Sequence, residues 1–217
     1  MKNAFFFFLL LSSVATAIPN RIVITGGPGV GKTTIINELK RRGFQVLDES
    51  AADVISNELN NGNSEYWRDP EFCNNILRLQ ISRETETENL RGQLFQDRSV
   101  IDTYAFVNHA PALTPPSTEV NQTINGLRPN ERYFRFVFFV QDLGESFTHE
   151  GRREDLQESR RIDQALRVEF TQRGYQIVDI PPASPSERVD QILRVLCNEI
   201  RNQSPVRDVS ANSKCQT

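Results

Sequence analysis

The segment Gly26-Gly27-Pro28-Gly29-Val30-Gly31-Lys32-Thr33 fits the spacing G-x-x-x-x-G-K-[ST] and constrains the fold more than any other part of the chain. It follows the β-branched run Ile22-Val23-Ile24 and precedes Thr34-Ile35-Ile36-Asn37-Glu38-Leu39, in which Ile35, Ile36 and Leu39 share a helical side. The unit is a strand, a glycine-rich turn and a helix. Glycines there let successive backbone N–H groups turn inward around a β-phosphate, through angles that other residues resist. The helix N-terminus adds partial positive charge. Gly26, Gly27, Pro28, Gly29, Val30, Gly31, Lys32, Thr33 and Thr34 are therefore the candidate phosphate-binding residues. Lys32 would reach the β- and γ-phosphate oxygens, and the Thr33 hydroxyl would hold Mg²⁺.

The remaining pattern alternates strands with helices. Phe44-Gln45-Val46-Leu47 reads as a second strand and residues 51–59 as a helix, followed by the loop Asn60-Asn61-Gly62-Asn63-Ser64. Asp69-Pro70 opens a long helix reaching about residue 90. Leu94-Phe95 leads a third strand into Asp97-Arg98, and a helix over 101–108 precedes the proline-rich stretch 111–116. Residues 133–140 form the strongest strand, an aromatic and β-branched run. A polar segment over 144–155 reads as a mobile loop. A helix over 156–172 ends at Gly174, a fifth strand covers 175–180, and a last helix covers 185–202. The expected fold is α/β: a three-layer parallel sheet of about five strands flanked by helices, with ligands at the carboxyl ends of the strands.

With 217 residues the chain suits one domain over 18–202, with a leader over 1–17 and a disordered polar tail over 203–217. Net charge is −3 without a long basic stretch, so a nucleic-acid surface is not indicated. Of the 25 basic residues all but Lys2, Lys32, Lys40 and Lys214 are arginines, which suit forked contacts to phosphate oxygens. Cys73, Cys197 and Cys215 lack metal-ligand spacing and a disulfide framework, and Cys73 and Cys197 read as buried thiols. Lys2, the apolar block 5–11 and Ala15-Thr16-Ala17 have the grammar of a signal peptide, too short for a transmembrane span. Export conflicts with the use of a nucleotide. The competing explanation is a cytoplasmic protein whose start codon was placed too far upstream.

The candidate acids follow the strands. Asp97 would bind Mg²⁺ through water, and Arg98 beside it would hold a substrate or phosphoryl group or lie in solvent. Asp48 and Glu49 end the second strand, where Glu49 would take the proton of an attacking hydroxyl or orient a water; the bland role is a helix N-cap. Arg152 and Arg153 lie in the loop segment, from which a closing lid could deliver an arginine to the transferring phosphoryl. His109 and His149 receive no role.

Taken in order, Arg21 to Thr34, Arg42-Gly43-Phe44, Val46, Glu49-Ser50-Ala51, Phe95-Gln96-Asp97-Arg98, Asp102, Gly174 to Pro181 and Glu187-Arg188-Val189 resemble one group of P-loop NTPases. This is the AAA-domain family typified by the ribosylnicotinamide kinase domain of the NAD regulator NadR and by the TRPL translocation defect protein. The match spans about residues 21–200. The resemblance implies a kinase-like nucleoside triphosphate fold using ATP or GTP with Mg²⁺. It makes Asp97-Arg98 the counterpart of the acid-arginine pair of nucleoside and nucleotide kinases, with Asp102 also facing the site. Gln96 departs from the family, in which an apolar residue is usual there.

Three functions compete. The first is phosphoryl transfer to a small hydroxyl-bearing acceptor, or hydrolysis, with Lys32, Glu49, Asp97, Arg152 and Arg153 as the catalytic set and Glu49, Arg98 and Asp102 at the acceptor. The second is a nucleotide-dependent binding module whose partner is a protein or a lipid headgroup. The third is a secreted interaction protein that keeps the fold without catalysis. The chain has no N-K-x-D tetrapeptide for guanine, which disfavours a standard GTPase.

Overall fold

The computed structural model describes residues 21–69, 71–109, 118–142 and 156–203. The leader, the proline-rich stretch, most of the polar tail, and the loop carrying His149, Arg152 and Arg153 lie outside them.

Five strands, β1 (Arg21–Thr25), β2 (Gln45–Leu47), β3 (Leu94–Asp97), β4 (Phe136–Val140) and β5 (Gln176–Ile180), form one sheet in the order β2-β3-β1-β4-β5. Every pairing is parallel: Ile24 lies beside Asp97 on one flank of β1 and beside Phe138 on the other. Among the described residues the helices are α1 (Lys32–Arg41), α2 (Ser50–Asn60), α3 (Phe72–Glu86), α4 (Val100–His109), α5 (Thr118–Gly126), α6 (Leu156–Gln172) and α7 (Pro185–Gln203). A short 3-10 turn, Tyr66–Arg68, joins α2 to α3.

Side chains alternate across the buried strands and split the core into two layers. Ile22, Ile24, Phe136, Phe138 and Val140 pack on Ile35, Ile36 and Leu39 of α1 and on Val189, Ile192 and Leu196 of α7. Val23 and Val137 face the opposite way, onto Leu77 of α3, Val100 and Ile101 of α4, and Phe170 of α6, while Phe139 packs on Leu166 of α6. Each such side chain removed from water contributes about 1.5–3 kcal/mol, so both faces hold the sheet and its loops in place. The expected three-layer α/β fold of five strands is what the chain forms.

Local chemistry explains the helix starts. Ser184 and Glu187 form a reciprocal capping box before α7, with Ser184 Oγ donating to Glu187 Oε2 at 2.6 Å and the Glu187 amide donating back to Ser184 Oγ at 3.3 Å. Pro185 suits the first helical position because its missing N–H has no partner to lose.

Three elements differ markedly from the sequence reading. β4 begins at Phe136: Asn130, at φ 63°, accepts from the Arg135 amide through its side-chain oxygen at 3.0 Å, while the Phe134 amide still donates to the Arg21 carbonyl of β1 and the Arg135 carbonyl accepts from Gln176 of β5. α3 stops at Glu86, where the Thr87 hydroxyl donates to the Arg83 and Glu84 carbonyls, each at 3.0 Å, instead of continuing to residue 90. α5 was not expected, since its sequence TEVNQTING is poor in strong helix formers. The cysteines also need one correction. Cys73 is a buried free thiol, pushed up to about 11 by burial, whereas Cys197 is disulfide-bonded. Among the described residues no helix is long and apolar enough to cross a membrane.

Candidate active site

The loop after β1 sits at the carboxyl edge of the sheet, with β3 and β4 on either side. Gly26, Gly29 and Gly31 have φ of 135°, 69° and 95°, and Gly31 takes the left-handed conformation at the N-cap of α1. Space matters as much as angle: a Cβ on Gly26 would lie 2.5 Å from the Val140 carbonyl oxygen of β4, and one on Gly27 2.5 Å from Asp163 Oδ1. α6 thus packs directly on the loop through Ser159 and Asp163. Burial raises the Asp163 carboxyl above its usual range.

Lys32 is only 5% exposed and donates to the Gly26 and Gly27 carbonyls at 3.1 and 2.6 Å. Burial, followed by the charge of Arg98, lowers its ammonium to about 8. Asp97 ends β3 and accepts from the Thr33 hydroxyl at 3.1 Å through Oδ2. Its Oδ1 is buried without a hydrogen-bond partner, and burial raises the carboxyl to about 6. Two adjacent oxygens, one of them lacking a donor, suit a hard divalent cation better than a hydrogen-bonded structural role. Among the described residues no three His, Cys, Asp or Glu side chains converge into a metal cage. Mg²⁺ takes one or two protein oxygens and relies on phosphate and water for the rest.

Arg98 is buried, not solvated. Its backbone is left-handed at φ 69°, a conformation costly for a side-chain-bearing residue. The guanidinium donates to Glu49 Oε1 at 2.6 Å and to the Gly26 carbonyl at 3.2 Å, lies 3.6 Å from Asp102 Oδ1, and stacks 5.1 Å over the Phe106 ring. Glu49 occupies the N-cap position of α2 but makes no capping bond, since its carboxylate turns to Arg98. Burial pushes the Glu49 carboxyl up, and the charges of Arg98 and Lys32 with the Arg98 hydrogen bond outweigh it, leaving the group below its ordinary value.

Asp102 is fully buried. One oxygen accepts from the Thr25 hydroxyl, and the other accepts from the Ser99 amide and hydroxyl at 2.8 and 2.7 Å. It caps α4, ties that helix to the end of β1 and lies beside the Arg98 guanidinium. Burial raises its pKa against the pull of Arg98 and those three donors.

Lys32, Thr33, Glu49, Asp97 and Arg98 thus meet at one place. The sequence reading missed Arg188 of α7, which is 2% exposed and donates to the carbonyls of Val30, Gln141 and Pro181 at 2.9, 3.1 and 3.1 Å. These bonds fasten the phosphate loop to the segments after β4 and β5. Its position in Glu187-Arg188-Val189 was visible, but nothing local marks a contact 158 residues away.

The model of a family described as an AAA domain matches residues 21–188. The chain belongs to that family. A search of curated proteins finds no match. Among solved structures, deoxyadenosine kinase of M. mycoides with the products dCMP and dCDP is similar, at TM-score 0.59 and 15% identity, covering 82% of this chain and 99% of that one. Thymidylate kinase of Candida albicans aligns at TM-score 0.55 and 13% identity, over 83% of this chain and 92% of that one. The YorR protein of Bacillus subtilis, in complex with phosphorylated GDP, aligns at 0.54 and 11%, over 83% and 98%. At such identities the likeness establishes the fold, a kinase-like P-loop nucleoside triphosphate fold.

Proposed function

We propose that this protein transfers the γ-phosphoryl group of ATP to the hydroxyl of a small acceptor, with a nucleoside as the favoured class. The observation that carries the proposal is the Glu49–Arg98 ion pair, 2.6 Å long and linked by Arg98 to the Gly26 carbonyl. A loop that only held nucleotide would have no use for a paired acid and arginine at its mouth.

Residues 26–34 cradle the phosphates, and Lys32 neutralises charge on the β- and γ-oxygens. Thr33 and Asp97 would hold Mg²⁺, which when bound draws charge from the phosphate oxygens. Glu49, kept below its ordinary pKa, is ionised at neutral pH and accepts the proton of the acceptor hydroxyl. The acceptor oxygen bonds to the γ-phosphorus while the bond to the bridging oxygen breaks, and that electron pair leaves with ADP. Arg98 orients the acceptor and holds Glu49 in place. An arginine from Arg152 or Arg153 would close over the γ-phosphate.

Glu49→Gln tests the base. Transfer should fall by about 10²–10⁴-fold with ATP affinity preserved. Unchanged turnover would remove Glu49 from that role.

A further inference from the structure

Gln96 is an anomaly. It lies in the middle of a buried sheet at 0% exposure, its Oε1 has no hydrogen-bond partner, and burying an amide this way is unfavourable unless something offsets it. Its Nε2 does two things. It donates to the Arg98 carbonyl at 2.9 Å, two residues ahead on its own chain, and to Glu84 Oε1 at 3.1 Å. The first bond grips the peptide of the left-handed residue whose guanidinium pairs with Glu49.

Glu84 of α3 is equally buried, at 1% exposure, and collects donors from four directions. Gln80 reaches Oε1 at 2.9 Å, Tyr133 reaches both oxygens at 2.9 and 3.0 Å, Arg132 pairs with Oε2, and Gln96 completes the set. A carboxylate so fully occupied leaves its neighbours one arrangement. A second branch leaves it through Gln80, whose Oε1 accepts from the Ser50 hydroxyl at 2.7 Å. Ser50 follows Glu49 directly and begins α2. One buried carboxylate therefore reaches the chain on both sides of the ion pair: the Arg98 carbonyl through Gln96, and the residue after Glu49 through Gln80.

We propose that Gln96 and Glu84 are positioning residues that lock the Glu49–Arg98 pair in the geometry for transfer, an inference resting on the phosphoryl-transfer reading of that pair. Neither side chain hydrogen-bonds to Lys32, Thr33 or any residue of the phosphate loop. They reach the loop only through Arg98, which also donates to the Gly26 carbonyl, so the larger effect falls on the acceptor side of the reaction.

The test uses the full chain with Gln96→Met, which keeps length and volume while removing the donor, and Glu84→Gln. Thermal midpoints are measured first, so that assays run below them. With ATP, Mg²⁺ and a panel of nucleosides, both variants should lose about 10- to 100-fold in kcat while ATP affinity by calorimetry stays within about threefold. In parallel, the ¹⁵Nε resonance of Arg98, assigned by its disappearance in Arg98→Lys, should leave its ion-paired position in both variants. Wild-type kcat together with an unmoved resonance would overturn the proposal, as would equal losses in kcat and ATP affinity. If the wild-type protein transfers no phosphate to any nucleoside, the reading of the site fails. The resonance still decides the positioning claim: moved in Gln96→Met it stands, and unmoved it falls.

Discussion

Replacing Asp97 with Asn should make the protein more stable and unable to bind nucleotide in a Mg²⁺-dependent way. The reason is the state of the Asp97 carboxylate, which is 1% exposed, has one oxygen without a donor, and titrates at about 6 instead of 3.8 because burial disfavours its charge. A shift of about two units at about 1.4 kcal/mol each means the ionised group costs about 3 kcal/mol at neutral pH. An Asn amide carries no charge but leaves one polar atom under-bonded, which returns about 1 kcal/mol or more. The net gain should be about 1–2 kcal/mol. The sign follows from linkage: with its folded pKa raised, the native state binds the proton more tightly than the unfolded chain between about pH 6 and 4. The penalty is fully present above that window, fades as pH falls through it and is gone below it. Guanidinium unfolding in EDTA should therefore show Asp97→Asn with the higher midpoint at pH 7.5, an unchanged slope, and little or no advantage at pH 4.5. A loss of stability at pH 7.5, or the same difference at both pH values, would refute the reasoning.

Other perturbations probe the loop. Gly26→Ala should lose about 2–4 kcal/mol, because the new methyl group meets the Val140 backbone at a φ of 135°, and a wild-type thermal midpoint would contradict this. ATP affinity should weaken as pH rises through about 8, where Lys32 sheds the proton that lets it attract phosphate. Because bound phosphate favours the ammonium, binding at pH 8.5 should take up protons, read as a dependence of the calorimetric heat on buffer ionisation. A flat affinity between pH 7 and 9.5 would rule out a titrating Lys32.

What was legible in the sequence was local. The strand, glycine loop and α1 announced themselves within about twenty residues, and the alternation of short apolar runs with helical spacing was enough for five parallel strands. Glu49, Asp97 and Arg98 stood out as candidates because each ends or follows a strand, where such sheets place their ligands. Meaning that depends on distant partners was hidden. Gln96 read as a flaw in a strand because its partners, Glu84 and the Arg98 carbonyl, become partners only when α3 docks on the sheet. Arg98 could not be told from a solvated arginine until Glu49, 49 residues earlier, came beside it. The 133–140 run promised a longer strand than it forms, and the turn at Asn130 is set by a side-chain contact and not by β propensity.

Calorimetric titration of the full-length protein and its Lys32→Ala variant with ATP and with GTP in Mg²⁺, followed by assay of ADP formation with nucleosides, is the most direct measurement. One nucleotide site in the wild type, binding weakened at least about tenfold in Lys32→Ala, and ADP released only with an acceptor would establish phosphoryl transfer at this loop. Absence of binding in the wild type, or equal binding by the variant, would contradict it.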